Sequence, residues 1–239
     1  MYTANSNDPG GCDGSLQAKG VRESILVLIK FKVLGNLRFL SHAETSRVFE
    51  RACARAGIKI QHSQGFNPRP KLSLPLPRSV GVESDDDLLC LQLDSLSGLF
   101  DVEGFKTGLS EQLPEGCELI TVNVAAKKTS FQPCLATYVL VVQQQYLNEA
   151  LKAEIEHLLA NESLNIERLI DADKSPKAKK VDVRPFLNSI KSDDKSIIVE
   201  CNISPAGSIR VDEILKLLKL DYEMLSAPIR RTSVKWQQA

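Results

Sequence analysis

Two histidines and a line of arginines are the residues most able to do chemistry in this chain. His42 follows Ser41 at the start of a helical pattern, where free backbone N–H groups and the helix dipole favour anions. A neutral imidazole there suits a general base or a phosphate contact. His62 is followed by Ser63 and Gln64, so a histidine pair with a serine fits metal-independent ribonuclease chemistry. No acidic residue is marked to orient either ring, and the catalytic reading stays the alternative to RNA contact. Arg47, Arg51 and Arg55 fall at i, i+4 and i+8 of the same helix and are spaced to meet successive phosphates. Gln64, Phe66 and Asn67 add amides and one aromatic ring, the side chains that hold an unpaired base.

These residues sit in a basic surrounding. Residues 19–78 hold twelve Lys/Arg against three acids, an excess of nine in a chain of zero formal net charge. Such an excess is the footprint of a polyanion-binding surface. The expected RNA-binding set is Lys30, Lys32, Arg38, His42, Arg47, Arg51, Arg55, Lys59, His62, Gln64, Phe66, Asn67, Arg69, Lys71 and Arg78. Residues 79–122 return the charge with ten acids against Lys106 alone. Within them Asp85, Asp86 and Asp87 read as a solvated polar turn. No Walker loop, G-x-G-x-x-G, H-E-x-x-H or G-x-S-x-G occurs, which counts against nucleotide-cofactor and hydrolase classes. The six cysteines lie far apart with no C-x-x-C pair, so neither a metal nor a cofactor is expected. With no signal peptide or long apolar run, the chain reads as cytoplasmic, with reduced thiols and no membrane partner.

The elements that position these residues follow from periodicity. Residues 1–22, rich in Gly, Asn, Asp and Ser, read as a disordered tail. Ile25, Val27, Ile29, Phe31 and Val33 alternate as in a strand. Ser41 and Glu44 form a capping box; Thr45, Val48, Phe49, Ala52 and Ala56 give a buried stripe, and Gly57 stops the helix. Prolines at 68, 70, 75 and 77 demand an edge strand or extended loop. Strands over 88–93 and 118–124 and a helix over 105–113 complete β-α-β-β-α-β. After a linker at 127–136 the pattern restarts with a strand at 137–143 and a helix at 147–159. A charged loop at 171–180, a strand at 197–203, a helix through Val211–Leu218 and a last strand at 229–236 follow. The expected fold is α+β: tandem ferredoxin-like sandwiches at 23–126 and 137–239.

LRFLSHAETSR, HSQGFNPRPKLSL and LPRSVGVES together resemble the bacterial radical SAM-linked family, a domain of uncharacterised function. VDVRPFLNSI, RVDEILKLL and IRRTSVKW are similar to the same family's second half, so the resemblance spans roughly residues 24–236. It implies association with a radical SAM protein. The sequence contains no C-x-x-x-C-x-x-C, so that catalytic partner is expected on another polypeptide. Arg69 stands where a second histidine is common, which weakens a two-histidine mechanism. The expectation is a non-catalytic RNA-binding accessory module presenting tRNA or rRNA to a separate radical SAM enzyme. An endoribonuclease using His42 or His62, and a protein-interaction adaptor, are the alternatives.

Overall fold

A computed structural model gives the architecture; it describes residues 24–94, 100–125, 129–170 and 177–238. The described residues form a mixed α/β protein with a large mixed sheet and four α-helices. The expected tail at 1–22 lies outside the described residues.

In the amino-terminal half, β1 (Ser24–Val33) lies between β3 (Glu83–Asp94) and β4 (Cys117–Ala125), antiparallel to both. The short β2 (Leu72–Ser73) pairs with the far part of β3 at Leu91 and Cys90. Between β1 and β2 runs α1 (His42–Arg55), and between β3 and β4 runs α2 (Val102–Ser110). The Ser41–Glu44 capping box forms in full, and Gly57 takes φ of 69°, which a side chain would resist. Phe49 packs edge to face on Phe31, with ring centroids 4.6 Å apart and both rings buried, which pins α1 to the sheet.

The carboxyl-terminal half repeats the strand order with an insertion. β5 (Phe131–Val141), α3 (Glu149–Ala160), β8 (Leu187–Ser192), β9 (Ser196–Asn202), α4 (Val211–Leu217) and β10 (Arg230–Gln238) follow in sequence. The spatial order is β10-β5-β9-β8, as β4-β1-β3-β2 is in the first half. β6 (Asn165–Ile170) and β7 (Lys177–Asp182) form a separate hairpin. β7 thus takes the end of the segment expected as a charged loop; residues 171–176 lie outside the described residues. β5 begins at Phe131, inside the expected linker at 127–136.

β10 runs parallel to β3 through two residue pairs only, Arg230 with Glu83 and Arg231 with Ser84, and this seam joins the halves into one sheet. Each half keeps its own apolar core, one around Phe31, Phe49 and Leu89, the other around Leu140, Ile155, Ile197 and Ile214. The acid run is not a turn. Asp85 to Asp87 lie inside β3, and a register shift opposite Phe31 and Val33 puts an extra residue there. The bulge leaves Ser84 and Asp87 opposite two core-facing residues, so both point inward.

Candidate nucleic-acid interface

The exposed cations of the first half follow one continuous stretch of chain, along α1 and into the hairpin after it. Arg47, Arg51 and Arg55 are exposed, while Thr45, Phe49, Ala52 and Cys53 are buried, so the helix faces are those the spacing predicts. Arg55 is partly engaged: its Nε donates to Gln112 Oε1 at 3.3 Å, and Nη2 donates to the Gln112 carbonyl. Arg47 and Arg51 form no ion pair within the described residues. After the helix, Gln61 N donates to the Gln92 carbonyl (2.8 Å), and Gln92 N donates to the Lys71 carbonyl (3.0 Å). These bonds tie a hairpin to the far end of β3. Ser63 N donates to the Arg69 carbonyl (2.8 Å) and Arg69 N to Ser63 Oγ (2.9 Å), closing its neck. Gln64, Phe66, Asn67 and Arg69 then stand outside, with Phe66 as open to solvent as an isolated residue. Lys59 is exposed at the base, and Lys71 Nζ donates to Gln61 Oε1 at 3.3 Å.

Several expected contacts are committed elsewhere. Lys30 pairs with Asp86 at 2.6 Å, and Lys32 lies 3.9 Å from Glu118. Arg38 is only partly engaged: one terminal nitrogen donates to the Gly35 carbonyl at 2.8 Å, and its guanidinium stacks 4.3 Å over the Phe39 ring. Arg78 corrects the sequence reading most clearly. It is buried, and its guanidinium donates to the carbonyls of Arg38 (2.7 Å), Val82 (2.6 Å), Leu37 (3.3 Å) and Leu40 (3.3 Å). It braces the turn before α1 and has no free donor face for a phosphate.

The histidines are not brought together. His42 lines a cavity of about 10 Å³ beside Thr45, Arg78, Asp87 and Leu88, room for one water. The hairpin carrying His62 meets β3 at Gln92 and Leu93, four or five residues further on, or about 15 Å at strand rise. Neither ring has a hydrogen-bond partner among the described residues. The amino end of α1 is also already supplied with negative charge. Glu44 accepts from Ser41 Oγ at 2.7 Å and Ser41 N at 2.8 Å, and these bonds hold its carboxyl below the usual range. A second anion there would meet that carboxylate. Among the described residues no three His, Cys, Asp or Glu side chains converge to hold a metal.

The constellation that sequence reasoning missed lies at the seam between the halves. Arg231 Nη2 donates to Asp87 Oδ1 at 2.7 Å, with both residues buried. Ser84 Oγ donates to the same oxygen, Arg231 Nη1 reaches the Pro77 carbonyl at 3.2 Å, and Arg78 Nε lies 3.8 Å from Asp87 Oδ2. On the more open face Arg230 pairs with Asp85 at 2.6 Å, and Val234 N donates to Asp86 at 3.1 Å. Burial alone would lower the Arg231 pKa, but the Asp87 carboxylate and the Tyr138 phenol outweigh it and raise it. Burial lowers Arg78, with Asp87 offsetting only part, from an ordinary value so high that the guanidinium stays charged. Two buried cations thus share one carboxylate, and the backbone carbonyls supply the remaining negative ends. The signal available in sequence was the pairing of the acids at 83–87 with the arginines at 230–231.

Two of the three first-half segments that carry the resemblance touch this region, one through Leu37–Leu40 and, at its edge, His42, the other through Arg78–Val82. The family model described as an uncharacterized protein conserved in bacteria (DUF2344) matches residues 27–214. The chain belongs to this family. The family description names no activity, so the match leaves the chemistry to the residues. No curated protein matches the chain. Among solved structures, the small subunit of acetolactate synthase from Thermotoga maritima is similar over 91% of this chain and 98% of that one, at 9% identity and a TM-score of 0.25. A likeness of that size carries no argument about fold or function. No helix among the described residues is long and apolar enough to cross a membrane.

Proposed function

We propose that this chain is a non-catalytic RNA-binding accessory module, built as two ferredoxin-like units in tandem, that presents tRNA or rRNA to a separate radical SAM enzyme in the cytoplasm. The carrying observation is the run of exposed cations that form no ion pair among the described residues, Arg47, Arg51, Lys59 and Arg69, along α1 and its following hairpin. The repeated strand order of the two halves supports the tandem reading, and the motif resemblance supports the enzyme partner. Among the described residues no carboxylate or second histidine lies at hydrogen-bonding distance from the His42 or His62 ring, which favours binding over cleavage.

If these four cations each neutralise one phosphate of a single strand, log K falls against log salt with a slope of about −3. Affinity then drops about 50-fold between about 50 and 200 mM salt. Filter binding of a labelled tRNA tests this. A salt-dependent complex with intact RNA is the expected result; no retention at the lower salt refutes the reading. Cleavage lost in His42→Ala would replace it with the endoribonuclease alternative.

A further inference from the structure

Three of the large apolar side chains that the structure leaves exposed, Phe39 (55%), Val80 (57%) and Tyr222 (57%), line one open groove of about 580 Å³ at the junction of the halves. The first half contributes Arg38 and Phe39 from the 3-10 turn Gly35–Phe39, with Val80 and Gly81. The second contributes Tyr222, from the 3-10 turn Tyr222–Met224, and the segment Leu225–Ile229. Apolar rings clustered this way in solvent mark a binding surface rather than scattered exposure.

We infer that this groove is a stacking subsite for an unpaired nucleobase, a reading that rests on the proposed RNA binding and names the form of RNA required. Aromatic faces and the plane of an arginine are the surfaces on which splayed-out bases stack. The groove has two rings and Arg38, whose guanidinium already lies 4.3 Å over Phe39. Its wall is held in shape. Arg78 donates to the carbonyls of Leu37, Arg38, Leu40 and Val82, and Gly81 N donates to the Arg38 carbonyl at 2.8 Å. Opposite, Ser226 N donates to the Val141 carbonyl at 2.9 Å, and Gln143 Nε2 donates to the Glu223 carbonyl at 2.6 Å. Little ordering is left for the ligand to supply.

Position and charge set the direction of the strand. The groove directly precedes α1, and the hairpin with the open Phe66 directly follows it, so the exposed arginines of α1 run between two aromatic ends over about 20 Å of helix. Asp221 and Glu223 are exposed beside Tyr222, whereas Arg38 stands on the α1 side. A base in the groove therefore directs its phosphate towards Arg38 and the helix, away from the acids. An RNA bound this way is single-stranded at the junction.

The test compares single-stranded oligoadenylate of about 12 nucleotides with an abasic strand of equal length and charge, against wild type, Phe39→Ala and Tyr222→Ala. Both rings are exposed, so neither variant endangers folding. Expected is tighter binding of oligoadenylate than of the abasic strand. Each variant should lose about tenfold for oligoadenylate, with the salt slope and the abasic affinity unchanged. Equal binding of the two strands by wild type overturns the subsite while leaving the phosphate-binding face standing. A preference for oligoadenylate that survives both substitutions also overturns it, assigning the stacking to Phe66 and leaving the groove to a protein partner. Binding of neither strand overturns the subsite together with the RNA reading.

Discussion

Asp87→Asn isolates what the buried charges at the seam contribute. Asp87 Oδ1 accepts from both Ser84 Oγ and Arg231 Nη2, and Oδ2 faces Arg78 Nε at 3.8 Å. An asparagine placed with its carbonyl oxygen at Oδ1 keeps both hydrogen bonds and nearly the same volume, so no cavity opens. What disappears is the one negative charge between two buried guanidiniums, and the new amide N–H₂ points at Arg78 Nε, donor against donor. Arg78 keeps its four carbonyls, so most of the loss falls on Arg231, 1% exposed and left with the Pro77 carbonyl and the Tyr138 phenol besides the amide. Breaking a buried pair from one side costs about 3–5 kcal/mol. In a protein of this size each kcal/mol moves Tm by about 2–4 °C, so a fall of about 6–20 °C is expected. Asp85→Asn is the control. Its partner Arg230 has a side chain 42% exposed, and such a pair is worth at most about 1 kcal/mol. Thermal denaturation followed by circular dichroism decides between them. If Asp87→Asn melts within about 2 °C of wild type, or below Asp85→Asn in effect, the seam is not held by its buried charges and the reasoning fails.

Phe49→Ala, at the centre of the first core, should cost about 3–5 kcal/mol in urea denaturation. Arg47→Gln with Arg51→Gln should stay within about 0.5 kcal/mol while weakening RNA retention, because both side chains lie in solvent. Burial pushes the Glu213 carboxyl up, but the hydrogen bonds from Arg168, the nearer at 2.6 Å, and from Arg210 N more than offset it and hold it below its ordinary value. A lowered folded value stabilises at pH above the unfolded carboxyl value of about 4.3 and ceases to do so as pH falls through the folded one. The Tm gap between wild type and Glu213→Gln should therefore be widest near neutrality and close on acidification; a constant gap would contradict it. Burial raises the thiols of Cys53, Cys117 and Cys201 to about 12 and that of Cys90 to about 11. These cysteines should resist iodoacetamide in the native protein and react in urea, as mass spectrometry of the alkylated peptides would show.

Local signals in the sequence carried β1 and α1 because each element declared itself without help from elsewhere. Alternation put Val27, Ile29, Phe31 and Val33 in the core, and the capping box with Gly57 bounded the helix. Where the sequence misled, the deciding interaction was distant. Three successive aspartates lack strand propensity, so Asp85 to Asp87 read as a turn. They are strand because Lys30, Arg230 and Arg231 arrive from other strands to meet them. Pro133 marked a linker, yet it sits opposite Trp236 where the β10–β5 register shifts, a place in a sheet that tolerates a missing N–H. Arg78 read as a phosphate ligand from its basic, proline-rich context, and only folding shows the four carbonyls that enclose it.

The same distant pairing changes the meaning of the charge asymmetry. Counted along the chain, residues 19–78 carry nine more cations than acids. In the fold, Lys30 and Arg78 are drawn into the acids of β3, where Arg230 and Arg231 of the second half also pair, so part of that excess is neutralised within the sheet instead of facing solvent. The cations left over are not a random remainder. Arg47, Arg51, Lys59 and Arg69 all lie on α1 or the hairpin after it, away from the seam where the β3 acids are spent. Neutralising one part of the basic segment within the sheet leaves the positive potential concentrated on a single helical track. That concentration, with aromatic rings at either end, is the feature on which the proposed RNA binding rests.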